Sequence, residues 1–131
     1  MSVLVLSSDA DLRSLLTFAL VANGIAAQAI EPSAERVDLE ALGAPVLAVL
    51  HAATATELEY ILARAMPMLD RGSVLVLCDP GQAMARARAL IPQAVAYLAT
   101  PVSVRALIRQ VQRHAAETGV TGYCVGESLT N

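Results

Sequence analysis

The stretch VLVLSSDAD, residues 3–11, decides the fold of this chain. Residues 3–6 form an unbroken apolar run, which is typical of a strand buried on both faces of a parallel sheet. Ser8 or Asp9 can then cap a helix, and the apolar residues between positions 12 and 20 recur at helical spacing. A buried strand that passes directly into an amphipathic helix is the opening unit of an α/β fold.

The same alternation continues along the chain. Further apolar runs predict strands at residues 25–30, 46–50, 74–77 and 95–98. Helical patterns follow at residues 33–42, 54–65, 82–91 and 103–117. Five strands alternating with five helices predict a flavodoxin-like, doubly wound parallel sheet with strand order 2-1-3-4-5. We expect one domain over residues 1–117 and a flexible tail or linker over residues 118–131.

Composition excludes several classes of function. The chain has 131 residues, of which 56% are hydrophobic, so a single folded domain is expected rather than disorder. No apolar run reaches the about 18 residues of a membrane span. The first residues also lack the basic segment of a signal peptide, so we expect a cytoplasmic protein. Every basic residue is an arginine, which excludes chemistry that needs a lysine.

Charge is distributed unevenly. Residues 1–79 hold four arginines against ten acids (−6), whereas residues 80–131 hold five arginines against two acids (+3). The net charge of −3 and the lack of a helix-turn-helix pattern argue against direct nucleic-acid binding. The positive half of the chain instead suits an acidic protein partner.

In such a fold, functional residues lie at the carboxyl ends of the strands. The residues predicted at this edge of the sheet are Ser7, Ser8, Asp9, Leu50, His51, Cys78, Thr100 and Pro101. Hydroxyls are weak ligands for a hard dication, so we expect no metal and no cofactor here, and Asp9 is interpreted as a helix cap. Cys78 and Cys124 have neither metal-ligand spacing nor the pattern of a disulfide framework.

Over residues 2–117 the sequence resembles the receiver domains of bacterial response regulators. Residues 3–13 resemble the receiver opening: a hydrophobic strand, an acidic cluster and a Leu-Arg helix start. Residues 96–101, AYLATP, resemble the fifth strand with its aromatic residue and the Lys-Pro pair before the last helix. The resemblance implies an acidic Mg²⁺ site after the first strand and a phosphoaccepting aspartate after the third. It also implies a lysine after the fifth strand.

The phosphorylation residues of that family are replaced in this chain. Ser7 and Ser8 stand where the acidic pair is implied, and Thr100 stands where the lysine is implied. The acceptor corresponds to Leu50, or to His51 if the register shifts by one residue. Without metal, acceptor and lysine, nothing would stabilise a phosphoryl group in transfer.

We therefore predict a degenerate receiver, or pseudo-receiver, that is not an enzyme. Its expected role is a phosphorylation-independent interaction or regulatory module in bacterial signalling or transcriptional control. Cys78 stands where the family has a threonine or serine that contacts the phosphoryl group. Two alternatives stay open: a small-molecule site in the vacant pocket, or a Cys78-dependent enzyme. A lowered pKa of Cys78, with His51 within hydrogen-bonding reach, would favour the enzyme.

The expected contact surface combines the helix at residues 82–91, the fifth strand and the last helix. Its residues are Tyr97, Arg86, Arg88, Arg105, Arg109 and Arg113. Tyr97 corresponds to the receiver's switch aromatic and is either a packed residue with an exposed hydroxyl or a partner contact. The arginines are either a solvated face or a site for an acidic partner or a second copy of the chain.

Overall fold

The fold is a five-stranded, wholly parallel sheet with helices on both faces. It is described by a computed structural model over residues 2–31, 45–69 and 73–118. The strands are β1 (Ser2–Leu6), β2 (Ala27–Ile30), β3 (Pro45–Ala52), β4 (Ser73–Cys78) and β5 (Ala96–Ala99). The helices are α1 (Ala10–Ala22), α2 (Ala55–Leu69), α3 (Gln82–Leu90) and α4 (Val104–Thr118). The strand order β2-β1-β3-β4-β5 confirms the predicted topology.

The described residues contain four helices, whereas five were predicted. The predicted helix over residues 33–42 lies outside the described residues, as do Cys124 and residues 119–131 of the predicted tail. α4 continues to Thr118, one residue past the predicted end of the domain. None of the helices in the described segments combines the length and apolarity that crossing a bilayer requires.

The sheet separates two apolar cores because successive residues of a strand face opposite sides. One core packs β-strand residues such as Leu4 and Val76 against α2 and α3. The other packs residues such as Val5 and Leu77 against α1 and α4. Because helices cover both faces of the sheet, its central strands are apolar at nearly every position.

β3 runs to Ala52, two residues further than the sequence pattern predicted. Its last residues alternate between the two cores: Leu50 lies within the α2–α3 core and is 0% exposed. His51, the next residue, therefore faces the α1–α4 side. β1 and β3 pair Leu6 with Leu50, which brings Ser7 level with His51 just beyond the paired residues.

Local capping fixes where the helices begin. Asp9 is the N-cap of α1, and its carboxylate accepts a hydrogen bond from the backbone N–H of Leu12 at 3.1 Å. The hydroxyl of Thr54 accepts from the N–H of Glu57 at 3.1 Å before α2. Gly81 opens α3 with a φ of 104°, a conformation that favours glycine. The predicted capping role of Asp9 is thus confirmed.

Replacing the buried Leu50 with aspartate should destabilise the fold. The side chain is fully enclosed in the α2–α3 core, so Leu50→Asp buries an uncompensated carboxyl and should lower the free energy of unfolding by about 2–4 kcal/mol. Leu90→Asp is the matched control because Leu90 is 46% exposed. Urea denaturation measures both variants, and equal midpoints for the two would contradict this placement of Leu50.

Candidate functional site

The carboxyl ends of β1 and β3 are joined by a buried polar contact. The hydroxyl oxygen of Ser7 lies 2.9 Å from Nδ1 of His51. Ser7 is 0% exposed and His51 is 7% exposed, so the pair is withdrawn from solvent. The Ser7 oxygen also accepts the backbone N–H of Asp9 at 3.0 Å. The sequence analysis left Leu50 and His51 as candidates for the position of the phosphoacceptor. His51 is the one of the two that contacts Ser7.

The surroundings of His51 favour its neutral form. Burial lowers the pKa of His51 below its usual value of 6.5. The negative charges of Glu57, Asp9 and Asp79 partly oppose this shift. The Ser7 oxygen already accepts the N–H of Asp9, so we expect its hydroxyl to donate to Nδ1 of a neutral His51. The imidazole then carries its own proton on Nε2.

Glu57, which the sequence analysis did not assign to the site, accepts hydrogen bonds from two loops. One carboxylate oxygen of Glu57 accepts a hydrogen bond from the hydroxyl of Ser8, and the other accepts the backbone N–H of Ala53 at 2.7 Å. Glu57 thereby connects the loop after β1 to the loop after β3. Its position in the Thr54 capping motif was visible in the sequence, but the contact with Ser8 depends on the pairing of β1 with β3.

Arg13 is a second contributor that the sequence analysis missed. Its guanidinium donates to the backbone carbonyl of Ser7 at 2.6 Å. Arg13 lies in the first turn of α1, so its hydrogen bond connects the start of this helix to the end of β1. Arg13 lies six residues after Ser7 in the sequence. Nothing in the sequence indicates that its guanidinium donates to the Ser7 carbonyl.

The ends of β4 and β5 form a separate polar contact. The hydroxyl of Thr100 donates to a carboxylate oxygen of Asp79, and the backbone N–H of Thr100 donates to the carbonyl of Cys78 at 3.0 Å. Thr100 precedes a cis peptide bond to the exposed Pro101. Thr100, which corresponds to the lysine that the resemblance implies, thus donates a hydrogen bond to Asp79.

Cys78 is buried and lies on the other face of the sheet from His51. Its side chain belongs to the α2–α3 core and is 0% exposed. Burial, with a smaller effect from the charge of Asp79, raises the pKa of the Cys78 thiol to about 11. A thiol with that pKa is protonated at neutral pH and is therefore a poor nucleophile. The lowered pKa that would favour a Cys78-dependent enzyme is not what the structure shows.

The side chains at this edge have the chemistry of a closed polar network. Within residues 2–31, 45–69 and 73–118, no three His, Cys, Asp or Glu side chains are grouped closely enough to hold a metal ion. The hydroxyls of Ser7, Ser8 and Thr100 each have a partner within the protein. The hydrogen bonds link the end of β1 to that of β3 and, separately, the end of β4 to that of β5.

The residues of the predicted contact surface differ in the contacts that they make. On α3, Arg86 forms an ion pair with Glu59 of α2 at 3.1 Å, and the guanidinium of Arg88 lies 4.6 Å from the ring centre of Tyr97. The hydroxyl of Tyr97 donates to the carbonyl of Ile91. Tyr97 is a packed residue, as one interpretation held, but its hydroxyl is hydrogen-bonded to the backbone rather than exposed.

The other three residues of the predicted contact surface are the arginines of α4. Arg105 and Arg109 line an open groove of about 400 Å³ beside the C-terminal end of α1. Its lining residues are Asn23, Val104, Arg105, Ile108, Arg109 and Gln112. α3 and α4 cover opposite faces of the sheet, and β5, its edge strand, packs Tyr97 on the α3 side and Leu98 on the α4 side. Arg113 is exposed further along α4.

Comparison with known proteins identifies the fold. No family model matches the sequence. No curated protein matches it either. Solved structures do match: the five-stranded doubly wound architecture described above is that of response-regulator receiver domains.

The similar structures share the fold at low sequence identity. The receiver domain of the Francisella response regulator 1452 superposes with a TM-score of 0.69 at 19% identity, over 89% of this chain and 98% of that one. The signal receiver domain of a putative LuxO repressor protein from Vibrio parahaemolyticus has a TM-score of 0.63 at 18% identity, over 92% and 97%. A response regulator receiver domain protein from Clostridium thermocellum gives 0.64 at 16%, over 91% and 97%.

Removing the Ser7 hydroxyl should destabilise the protein more than removing that of Ser8. Ser7→Ala leaves the buried Nδ1 of His51 and the N–H of Asp9 without their partner, which should cost about 1–3 kcal/mol. Ser8→Ala is the matched control, since Ser8 is exposed and its loss should cost less than about 0.5 kcal/mol. Chemical denaturation at pH 7.5 measures the difference. Indistinguishable unfolding curves would show that the Ser7–His51 contact does not contribute to stability.

Proposed function

We propose that this chain is a receiver-fold regulatory module of bacterial signalling that acts through protein contacts and takes no phosphoryl group at the ends of its strands. The observation that carries the proposal is the buried hydrogen bond of 2.9 Å between Ser7 and His51. By the resemblance to receivers, Ser7 corresponds to a metal-binding acid, and His51 is one of the two residues that correspond to the phosphoaccepting aspartate. The solved structures with the same fold are receiver domains, which supports a regulatory role.

Phosphoryl transfer to a carboxylate needs an acceptor, a divalent cation and a positive side chain. The strand ends of this chain offer a hydroxyl, a neutral imidazole and a threonine instead. Ser7 is fully buried and is held by hydrogen bonds to His51 and to the N–H of Asp9, so a metal ion would have to disrupt this packing to reach its oxygen. The nearby carboxylates of Glu57 and Asp79 add negative charge, which opposes the approach of a phosphoryl group.

A module without a phosphorylation switch must bind its partner in the unmodified state. Its occupancy is then set by the concentration of the partner and by their affinity. The arginine-rich second half of the chain supports an acidic protein partner. Catalysis by Cys78 is not part of the proposal, because a buried thiol with a pKa of about 11 is a poor nucleophile at neutral pH.

Incubation with acetyl phosphate and Mg²⁺ tests the proposal. Intact-mass spectrometry should detect no phosphoryl adduct, and the melting temperature should not shift when beryllofluoride and Mg²⁺ are added. A receiver domain that autophosphorylates under the same conditions serves as the positive control.

An adduct that disappears in His51→Gln would refute the proposal by identifying a phosphoryl acceptor at this site. A beryllofluoride-dependent stabilisation that disappears in Asp79→Asn would refute it equally, because it would demonstrate an anion site among the strand ends.

A further inference from the structure

α4 carries positive charge that the helix itself does not neutralise. Its exposed arginines Arg105, Arg109 and Arg113 recur at intervals of four residues, so they follow one side of the helix. None of them forms an ion pair with an acid of the described segments. The first acid of α4 is Glu117, one turn after Arg113 and further from the other two. Like charges four residues apart destabilise a helix, so Arg105 and Arg109 favour an anion supplied from outside it.

These same two arginines border a groove. Arg105 and Arg109 line the open groove of about 400 Å³ between α4 and the C-terminal end of α1. The α4 positions that line it are 104, 105, 108, 109 and 112, which recur at intervals of three and four and therefore form one stripe of the helix. The volume lies within the range of about 300–1,000 Å³ that is typical of small-molecule sites. Arg113 does not line the groove.

The rest of the lining is apolar or amide. Val104 and Ile108 supply apolar surface, and Gln112 and Asn23 supply amide groups. The side-chain nitrogen of Asn23 donates to the carbonyl of Ala19 at 2.8 Å, and an amide nitrogen has a second hydrogen to donate. The groove thus combines two cations and hydrogen-bonding amides with an apolar wall, and no acid lines it.

The charges and donors of the groove select its ligand. A guanidinium binds the oxygens of a phosphate or carboxylate in pairs, and two adjacent guanidiniums together carry two positive charges. A phosphate monoester carries about −1.5 to −2 charges near neutral pH and has three strong acceptor oxygens, whereas a carboxylate carries one charge. The apolar wall at Val104 and Ile108 adds contact area for a carbon-containing ligand that inorganic phosphate would leave uncovered.

We propose that the groove between α4 and the end of α1 binds a small organic phosphate, with Arg105 and Arg109 on the phosphoryl oxygens and the apolar wall against the rest of the molecule. The proposal goes beyond the regulatory role proposed above. None of the lining residues takes part in the hydrogen bonds at the strand ends, so the site does not depend on whether those ends can be phosphorylated.

Titration with four probes at low ionic strength and pH 7.5 tests the site: inorganic phosphate, ribose phosphate, adenosine monophosphate and adenosine. Both phosphate esters should bind saturably, with amide chemical-shift changes at Asn23 and at residues 104–112. Inorganic phosphate should bind more weakly, because it leaves the apolar wall uncovered, and adenosine should not bind. Tighter binding of adenosine monophosphate than of ribose phosphate would identify a nucleotide as the ligand, and equal binding a sugar phosphate.

Variants of the lining separate this site from general attraction of anions. Arg105→Ala and Arg109→Ala should each weaken binding of adenosine monophosphate about tenfold, because each removes a charge-assisted pair of hydrogen bonds. Gln112→Glu should weaken it too, since it places a carboxylate in the lining at nearly unchanged volume. Arg113→Ala is the matched control: it removes an exposed arginine of the same helix from outside the groove and should change the affinity less than about twofold. Unchanged melting temperatures would show that the variants are folded.

Three results would overturn the proposal. The first is the absence of shift changes at residues 104–112 with either ester. The second is an equal loss of affinity in Arg113→Ala and Arg109→Ala, which would show only a general attraction of anions. The third is a glutamate-rich peptide that binds through Arg105 and Arg109 while the esters do not, since an acidic protein segment would then be the occupant.

Discussion

The contact between Ser7 and His51 constrains the whole carboxyl edge of the sheet. Both residues follow apolar strand segments, and both are withdrawn from water. A buried polar group must be hydrogen-bonded, so each of the two side chains requires the other. β1 and β3 are adjacent at the centre of the sheet, and their parallel register brings the two side chains together. A change in that register would bury an unsatisfied hydroxyl and an unsatisfied imidazole.

The contacts of the neighbouring loops after β1 and β3 are arranged around that pair. Arg13 holds the carbonyl of Ser7, and Glu57 connects the neighbouring Ser8 to the start of α2. The same burial that stabilises the neutral imidazole makes its protonation unfavourable. Since the pKa of His51 is lower in the folded than in the unfolded protein, its contribution to stability is lost as the pH falls below about 6.5. The Ser7–His51 contact is thus most stable with a neutral imidazole, at and above neutral pH.

The sequence predicted the order and connection of the elements because fully apolar strands and amphipathic helices have distinct periodicities. It also predicted that Asp9 caps a helix, since capping is a local interaction. It did not decide whether Leu50 or His51 belongs to the site, because the β3 pattern allowed two registers and only strand pairing distinguishes them. Glu57 and Arg13 were missed for a related reason: their partners are loop groups brought near by the fold. The contact surface formed by α3, β5 and α4 stays a prediction: the two helices cover opposite faces of the sheet on either side of its edge strand β5.

The protonation state of His51 tests the central claim most directly. Long-range proton–nitrogen NMR of the imidazole at pH 7.5 should show a neutral ring with the proton on Nε2 and with Nδ1 accepting a hydrogen bond. That signature should disappear in Ser7→Ala and should be unchanged when Mg²⁺ and beryllofluoride are added to the parent. A protonated ring at pH 7.5, a proton on Nδ1, or a signature that changes on adding beryllofluoride would contradict the account.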